Sequence, residues 1–161
     1  IDSSGNIWVA DTNNDRIQKF NSAGVFQMKF GSRGCQSIQS DGTISGDRQY
    51  GKFCDPTSLA VDSTGKIYVA DHNNRRIQKF DSSGNYLTEF GSYGTSNGKF
   101  LNPYFITIDR FDSIYVGDRE RNNIQVFDKN FNLNWEFYQN CLILTNDVGV
   151  RIIDIKLIEI I

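Results

Sequence analysis

One ten-residue run occurs three times in this chain. Asp11-Thr-Asn-Asn-Asp-Arg-Ile-Gln-Lys-Phe20 returns as Asp71-His-Asn-Asn-Arg-Arg-Ile-Gln-Lys-Phe80, and again, altered, as Asp118-Arg-Glu-Arg-Asn-Asn-Ile-Gln-Val-Phe127. Residues 1–31 laid on 61–91 are identical at 18 of 31 positions. A repeat of this size constrains the fold more than any single motif does. Each unit is a supersecondary element that cannot bury its apolar face alone, so units stack and the array shares one continuous core.

The spacing locates an insertion. Asp11 and Asp71 are 60 residues apart, Asp71 and Asp118 only 47, a difference of 13. Gly51-Lys-Phe-Cys-Asp-Pro56 matches Gly98-Lys-Phe-Leu-Asn-Pro103 at the shorter offset. The extra residues therefore fall in one connector, roughly Arg33 to Arg48, which is polar and rich in Gly, Ser and Gln. Insertions in arrays go to surface loops, because a buried loop would leave backbone groups unpaired.

Inside a unit the apolar period is two. Ser58–Asp62, Lys66–Ala70, Arg76–Phe80 and Tyr86–Phe90 are predicted strands. Turn residues punctuate them, with Gly65 and Gly84 supplying positive φ and Asn73 and Asn74 tolerating it. In the third unit Asp112 and Phe131 replace these glycines. Phenylalanine is uncomfortable in a left-handed turn, and Asn130 beside it offers an alternative position. No segment has helical periodicity over ten residues. Four short strands per 40–50 residues predict a propeller blade.

The run Leu59-Ala-Val-Asp-Ser-Thr-Gly-Lys-Ile-Tyr-Val-Ala-Asp-His-Asn-Asn-Arg-Arg-Ile-Gln-Lys-Phe80, with Phe53 and Pro56 before it and Gly91 after, resembles an NHL repeat. The resemblance covers about residues 1–137. It implies an all-β fold, part of a six-bladed β-propeller in which about three blades of four antiparallel strands form an open arc. Six blades at this spacing need about 280 residues. The expected organisation is a blade lacking its first strand (1–31), a connector with the 13-residue insertion (32–56), a blade (57–91), a connector (92–103), a degenerate blade (104–137) and a tail (138–161). The tail is either non-repeat sequence or the start of a fourth blade, with Gly149–Asp154 as a candidate strand. Arg151, Asp154, Lys156 and Glu159 exclude it as a membrane span.

Topology sorts the loops. In a four-stranded antiparallel blade, the turn after the second strand and the connector to the next blade emerge on one side of the disk. That side carries the Asn-rich tips, the insert and the Tyr93 connector. Candidate partner-binding residues there are those that vary among units: Arg33, Arg48, Tyr50, His72, Arg75, Tyr93, Arg119 and Arg121. Arg and Tyr suit a protein or peptide epitope. Asp11, Asp71 and Asp118 recur in every unit, which points to a structural role closing the hairpin turn, and Arg16 and Arg76 are expected to pack or pair between blades.

Other chemistry has little support. A net charge of −2 gives no basic field for nucleic acid. Asp11-x-Asn13-x-Asp15 lacks the glycine and glutamate of a calcium loop, with Arg16 and Ser22 in their places. His72 is the lone histidine, so no Ser/His/Asp or Cys/His site assembles, and no metal set or cofactor is expected. Asp62 and Asp109 end innermost strands and could approach a central channel, but their recurrence favours turn closure. Cys35 and Cys54 bracket the insert. Either a disulfide staples it or both are reduced thiols.

The resemblance implies a non-catalytic protein–protein interaction module, the partner-binding part of a TRIM-NHL-like ubiquitin ligase. Ubiquitin transfer, and any zinc, would reside in a RING or B-box domain outside this sequence, in a cytoplasmic protein. A single-stranded RNA-binding propeller is the alternative, followed by an extracellular sensor or amidating-lyase-like propeller.

Overall fold

The computed structural model describes residues 1–39, 44–46, 49–138, 141–146 and 149–154. Its three main sheets follow chain order. Strands β1 (Ile7–Asp11), β2 (Arg16–Phe20) and β3 (Phe26–Phe30) form the first. The second holds β6 (Pro56–Val61), β7 (Ile67–Asp71), β8 (Arg76–Phe80) and β9 (Tyr86–Phe90). The third holds β10 (Pro103–Ile108), β11 (Ile114–Asp118), β12 (Asn123–Phe127) and β13 (Leu133–Tyr138). Every pairing is an antiparallel meander, and the two four-stranded sheets share one register, Val69 opposite Gln78 as Val116 is opposite Gln125.

Two small hairpins lie outside this frame. Within the insert, β4 (Ser37–Ile38) pairs with β5 (Ile44–Ser45). In the tail, β14 (Cys141–Asn146) pairs with β15 (Gly149–Asp154) as a two-stranded sheet of its own. Gly149–Asp154 is thus a strand whose partner is its immediate predecessor.

Burial on both faces explains the near-continuous apolar run of β7, whose five residues are all buried. Ile67 and Val69 point toward the first sheet, where they meet Trp8, Ile17, Phe53 and Phe80, with Met28 and Phe30 packed alongside. Tyr68 and Ala70 point the other way, toward Phe100, Ile106, Ile114, Val116 and Phe127. Each buried Phe or Ile contributes roughly 1.5–3 kcal/mol, so the two seams hold the array together. Phe53 and Phe100, both fully buried, come from the connectors and plug the seams. Their rings explain Gly31 and Gly91: a Cβ at either would lie 2.4 Å from the ring.

The turns differ from expectation in one respect. Positive φ falls on Asp15, Arg75 and Asn122, not on Asn73 or Asn74. Thr12–Asn14 and His72–Asn74 instead form single 3₁₀ turns, and the residue that follows takes the left-handed position. Gly65 and Gly84 do adopt positive φ. In the third unit Asp112 (62°) and Phe131 (68°) hold the same conformation. Asn130 does not relieve Phe131.

Candidate functional site at the seam of the second and third blades

The recurring carboxylates accept hydrogen bonds from partners more varied than hairpin backbone. Asp71, fully buried, accepts from the Cys54 N–H, the Asn74 amide, the Arg76 Nε and the Gln78 amide. Burial pushes its carboxyl upward and the Arg76 guanidinium pulls it down. With four donors converging on it, we assign the ionised form. Asp118 accepts from the backbone of Leu101, Asn102, Glu120 and Arg121, and Asp11 from Asn14, Arg16 and Gln18. Arg76 does not pair across to another sheet. It binds Asp71 and Glu89 of its own sheet, each at 2.7 Å, and the connector carbonyls of Gln49 and Lys52. Arg16 likewise pairs with Asp11 of its own sheet.

Arg121 belongs with this group and not among surface ligands. Its side chain is 5% exposed, donates to the Lys99 carbonyl and pairs with Glu136 at 2.7 Å. These are the counterparts of Lys52 and Glu89, so Arg121 performs in the third blade what Arg76 performs in the second. The residue aligned with Arg76, Asn123, also donates to Glu136.

Asp62 and Asp109 close turns. Asp62 accepts the backbone N–H groups of Thr64 and Lys66 and the Tyr68 hydroxyl; Asp109 accepts those of Phe111 and Ser113 and the Tyr115 hydroxyl. Among the described residues no group of three His, Cys, Asp or Glu side chains is placed to hold a metal ion.

The Cys35 and Cys54 sulfurs are bonded in the structure. The staple is reinforced by Asn74, whose side chain accepts the Gln36 N–H and donates to the Gly34 carbonyl. Residues 34–36, at the start of the insert, are thereby fixed against the 72–75 tip.

The remaining candidates divide. Arg33 is 79% exposed and reaches Asp15 at 3.6 Å. Tyr50, 64% exposed, lies on Tyr86 with ring centroids 4.7 Å apart. Tyr93 is 41% exposed in its connector. Arg48 lies outside the described residues. His72 and Arg119, by contrast, meet on a residue not singled out from sequence, Tyr104, and the Arg75 charge acts on the same His72 ring.

Tyr104 sits at the bulged start of β10, the inner strand of the third blade. Its carbonyl accepts the Thr57 hydroxyl of β6 at 2.8 Å, which ties the inner strands of two blades together. The His72 ring meets it edge-on at 5.7 Å, and the Arg119 guanidinium lies over it at 5.5 Å. Tyr104 nonetheless stays 45% exposed. The tips of two successive blades therefore flank one aromatic ring. Burial lowers the His72 pKa; Asn102 and Asp55 oppose this, while Arg75 and Arg119 add to it. The ring is neutral at physiological pH.

Arg75 takes its place through the left-handed φ of 53° that ends the 3₁₀ turn. Its Nη1 folds back onto the Asn73 carbonyl, and its Nε is buried without a hydrogen-bond partner. A buried unmade donor costs about 1–3 kcal/mol, which marks this guanidinium as incompletely satisfied. The criterion that selected the variable residues, difference between equivalent positions, also separates Tyr104 from Thr57.

The NHL repeat family model matches residues 1–20 and 53–80. The chain is 33% identical over 91 residues to the probable peptidyl-alpha-hydroxyglycine alpha-amidating lyase pgal-1 of Caenorhabditis elegans, covering 55% of this chain and 23% of that protein. It is 31% identical over 122 residues to protein brain tumor of Drosophila melanogaster, covering 56% of this chain and 12% of that protein. The chain thus spans less than a quarter of either relative. Among solved structures, hydrazine synthase of Kuenenia stuttgartiensis superposes with a TM-score of 0.61 at 14% identity, over 95% of this chain and 44% of that one. At that identity the likeness concerns fold alone. Repeat sequence, blade-like sheets and family match agree: the chain carries NHL repeats folded as β-propeller blades.

Proposed function

We propose that this chain is a non-catalytic partner-binding part of an NHL β-propeller, recognising a protein or peptide at the irregular side around Tyr104. The observation that carries this reading is the meeting of His72 and Arg119 on the exposed Tyr104 ring at a blade seam, with the Arg75 charge acting on the same His72. Asp11, Asp71, Arg16 and Arg76 are paired within their own sheets, while Tyr104 stays exposed beside His72 and Arg119, and this supports the reading. Likeness to protein brain tumor, together with the sequence resemblance, supports a parent of the TRIM-NHL ubiquitin-ligase kind, in which ubiquitin transfer belongs to a RING domain elsewhere. The test compares E2-dependent ubiquitin discharge by this segment alone and by the full-length protein. Discharge by the full-length protein only is expected; a parent without a RING removes the ligase role.

A second reading is favoured by the Cys35–Cys54 bond, because disulfides persist in oxidising compartments. It makes the parent an extracellular propeller, in line with the amidating-lyase relative. Non-reducing peptide mapping of the protein from its natural source decides between them. A 35–54 cross-link there supports the extracellular parent; free thiols support the cytosolic one. RNA binding has less support, since Arg121 is committed to Glu136. It requires affinity that falls steeply with salt.

A further inference from the structure

Resting on the partner-binding reading, we propose that the Tyr104 seam takes an acidic peptide segment, its carboxylate received by the guanidinium groups of Arg75 and Arg119. The described arginines of this side fall into two sets. Arg16, Arg33, Arg76 and Arg121 each pair with a carboxylate. Arg75 and Arg119 pair with none among the described residues.

These two cations share one neighbourhood. Both act electrostatically on the His72 ring, and Arg119 lies over the Tyr104 ring that His72 also touches. Asp55, the carboxylate that acts on the same His72 ring, is engaged by the Asn73 amide, and its backbone N–H is held by Asp15. The result is a local excess of positive charge in a protein of net charge −2. It is bordered by an aromatic face and a neutral imidazole edge, and it holds one buried guanidinium N–H that lacks an acceptor.

A carboxylate satisfies that inventory. It accepts from guanidinium N–H groups in their plane. Tyr104 then offers its ring to the apolar part of a neighbouring side chain. A nucleic-acid backbone needs a row of cations matching successive phosphates. Here the other described arginines of this side are already paired, and Arg75 and Arg119 supply two cations and not a row.

The test uses substitutions that the repeat itself supplies. Arg75→Asn installs the residue of the third blade, Asn122, which holds the same left-handed φ of 50°. Tyr104→Thr installs the second blade's Thr57. Arg119→Gln keeps length and removes charge. A random dodecapeptide phage library is panned against the chain and against R75N/R119Q, with thermal melting used to check that each variant is folded. An enriched peptide is then synthesised with its acidic residues intact or replaced by Gln, and binding is read by fluorescence anisotropy.

Enrichment of Asp- and Glu-containing peptides is expected, with affinity at least tenfold weaker for the Gln form and for R75N/R119Q. Peptides enriched without acidic residues, or binding equally to the double variant, overturn the acidic assignment; sensitivity to Y104T would then leave the partner-binding reading standing. Absence of any enrichment overturns both. An oligouridylate twelve-mer that binds more tightly than every selected peptide, and is lost in R75N/R119Q, reassigns the seam to RNA.

Discussion

Phe131 lies flat against Phe90, the ring centroids 4.5 Å apart and the planes 16° from parallel. The contact explains how a phenylalanine occupies a left-handed turn. In the second blade the same turn position is Gly84, and Phe30 of the first blade fills the space a side chain would need, 2.6 Å from a Cβ built there. In the third blade Phe90 leaves that space open and Phe131 fills it, meeting Tyr68 edge-on as well. A single sequence difference, Gly84 against Phe131, is one packing solution in two forms.

The pair can be separated by mutation. Phe131→Gly relieves a left-handed cost of roughly 1–2 kcal/mol but removes packing worth about 3 kcal/mol when buried. A net loss of about 1–2 kcal/mol is expected in urea denaturation. Gly84→Phe, which has no room, should cost more than Phe131→Gly. Equal or reversed effects would show that the stack contributes nothing.

Arg121 and Arg76 do the same work from non-equivalent positions, and this gives a rescue experiment. Arg121→Ala leaves Glu136 without its guanidinium and should cost about 3 kcal/mol, as removal of one partner of a buried pair does. The exchange R121N/N123R places Asn and Arg where the second blade has Asn74 and Arg76. Most of the lost stability should return. No recovery in the midpoint of denaturation would mean that the two arginines are not interchangeable.

Cutting the Cys35–Cys54 link frees a loop whose ends are 19 residues apart. Loop-closure entropy for that size is about 3 kcal/mol. C35S/C54S should lower stability by that order and raise amide exchange at Gln36, whose N–H is held by Asn74. Unchanged exchange at Gln36 would show that Asn74 alone secures the insert.

Acid sensitivity should trace to turn carboxylates. At Asp2 burial works to raise the pKa, but hydrogen bonds from the Asn6 side chain, the Trp8 indole and the Asn6 and Ser4 backbone outweigh it and bring the value to about 2. A folded value below the unfolded one means a contribution fully present above about pH 4 and lost as pH falls toward 2. Asp62 is lowered in the same direction. The melting temperature of D2N should therefore fall less steeply than that of the wild type between pH 5 and 2.5. Parallel curves would assign the acid response elsewhere.

Much of the architecture was readable because it depends on local and periodic information. The 47-residue offset, the alternation in Arg76–Phe80 and the turn glycines at 65 and 84 specify strands, hairpins and stacking order. Asn73 and Asn74 misled because composition names residues able to adopt a left-handed φ, whereas the 3₁₀ turn places that φ one residue later, at Arg75. The roles of Gln78 and Gln125, each donating to a connector carbonyl and accepting a glycine N–H, follow from the shared register.

The amino-acid sequence by itself determined the repeat, the blade, the insert and which polar residues recur. Tertiary structure alone decided which of the variable ones are available. Arg121 and Arg119 are two residues apart in one tip, yet one is buried against Glu136 and the other lies over Tyr104. The same Tyr104 ring is met by His72 of the second blade, and a side chain's partners across a seam depend on inter-sheet packing, for which one chain's periodicity carries no signal.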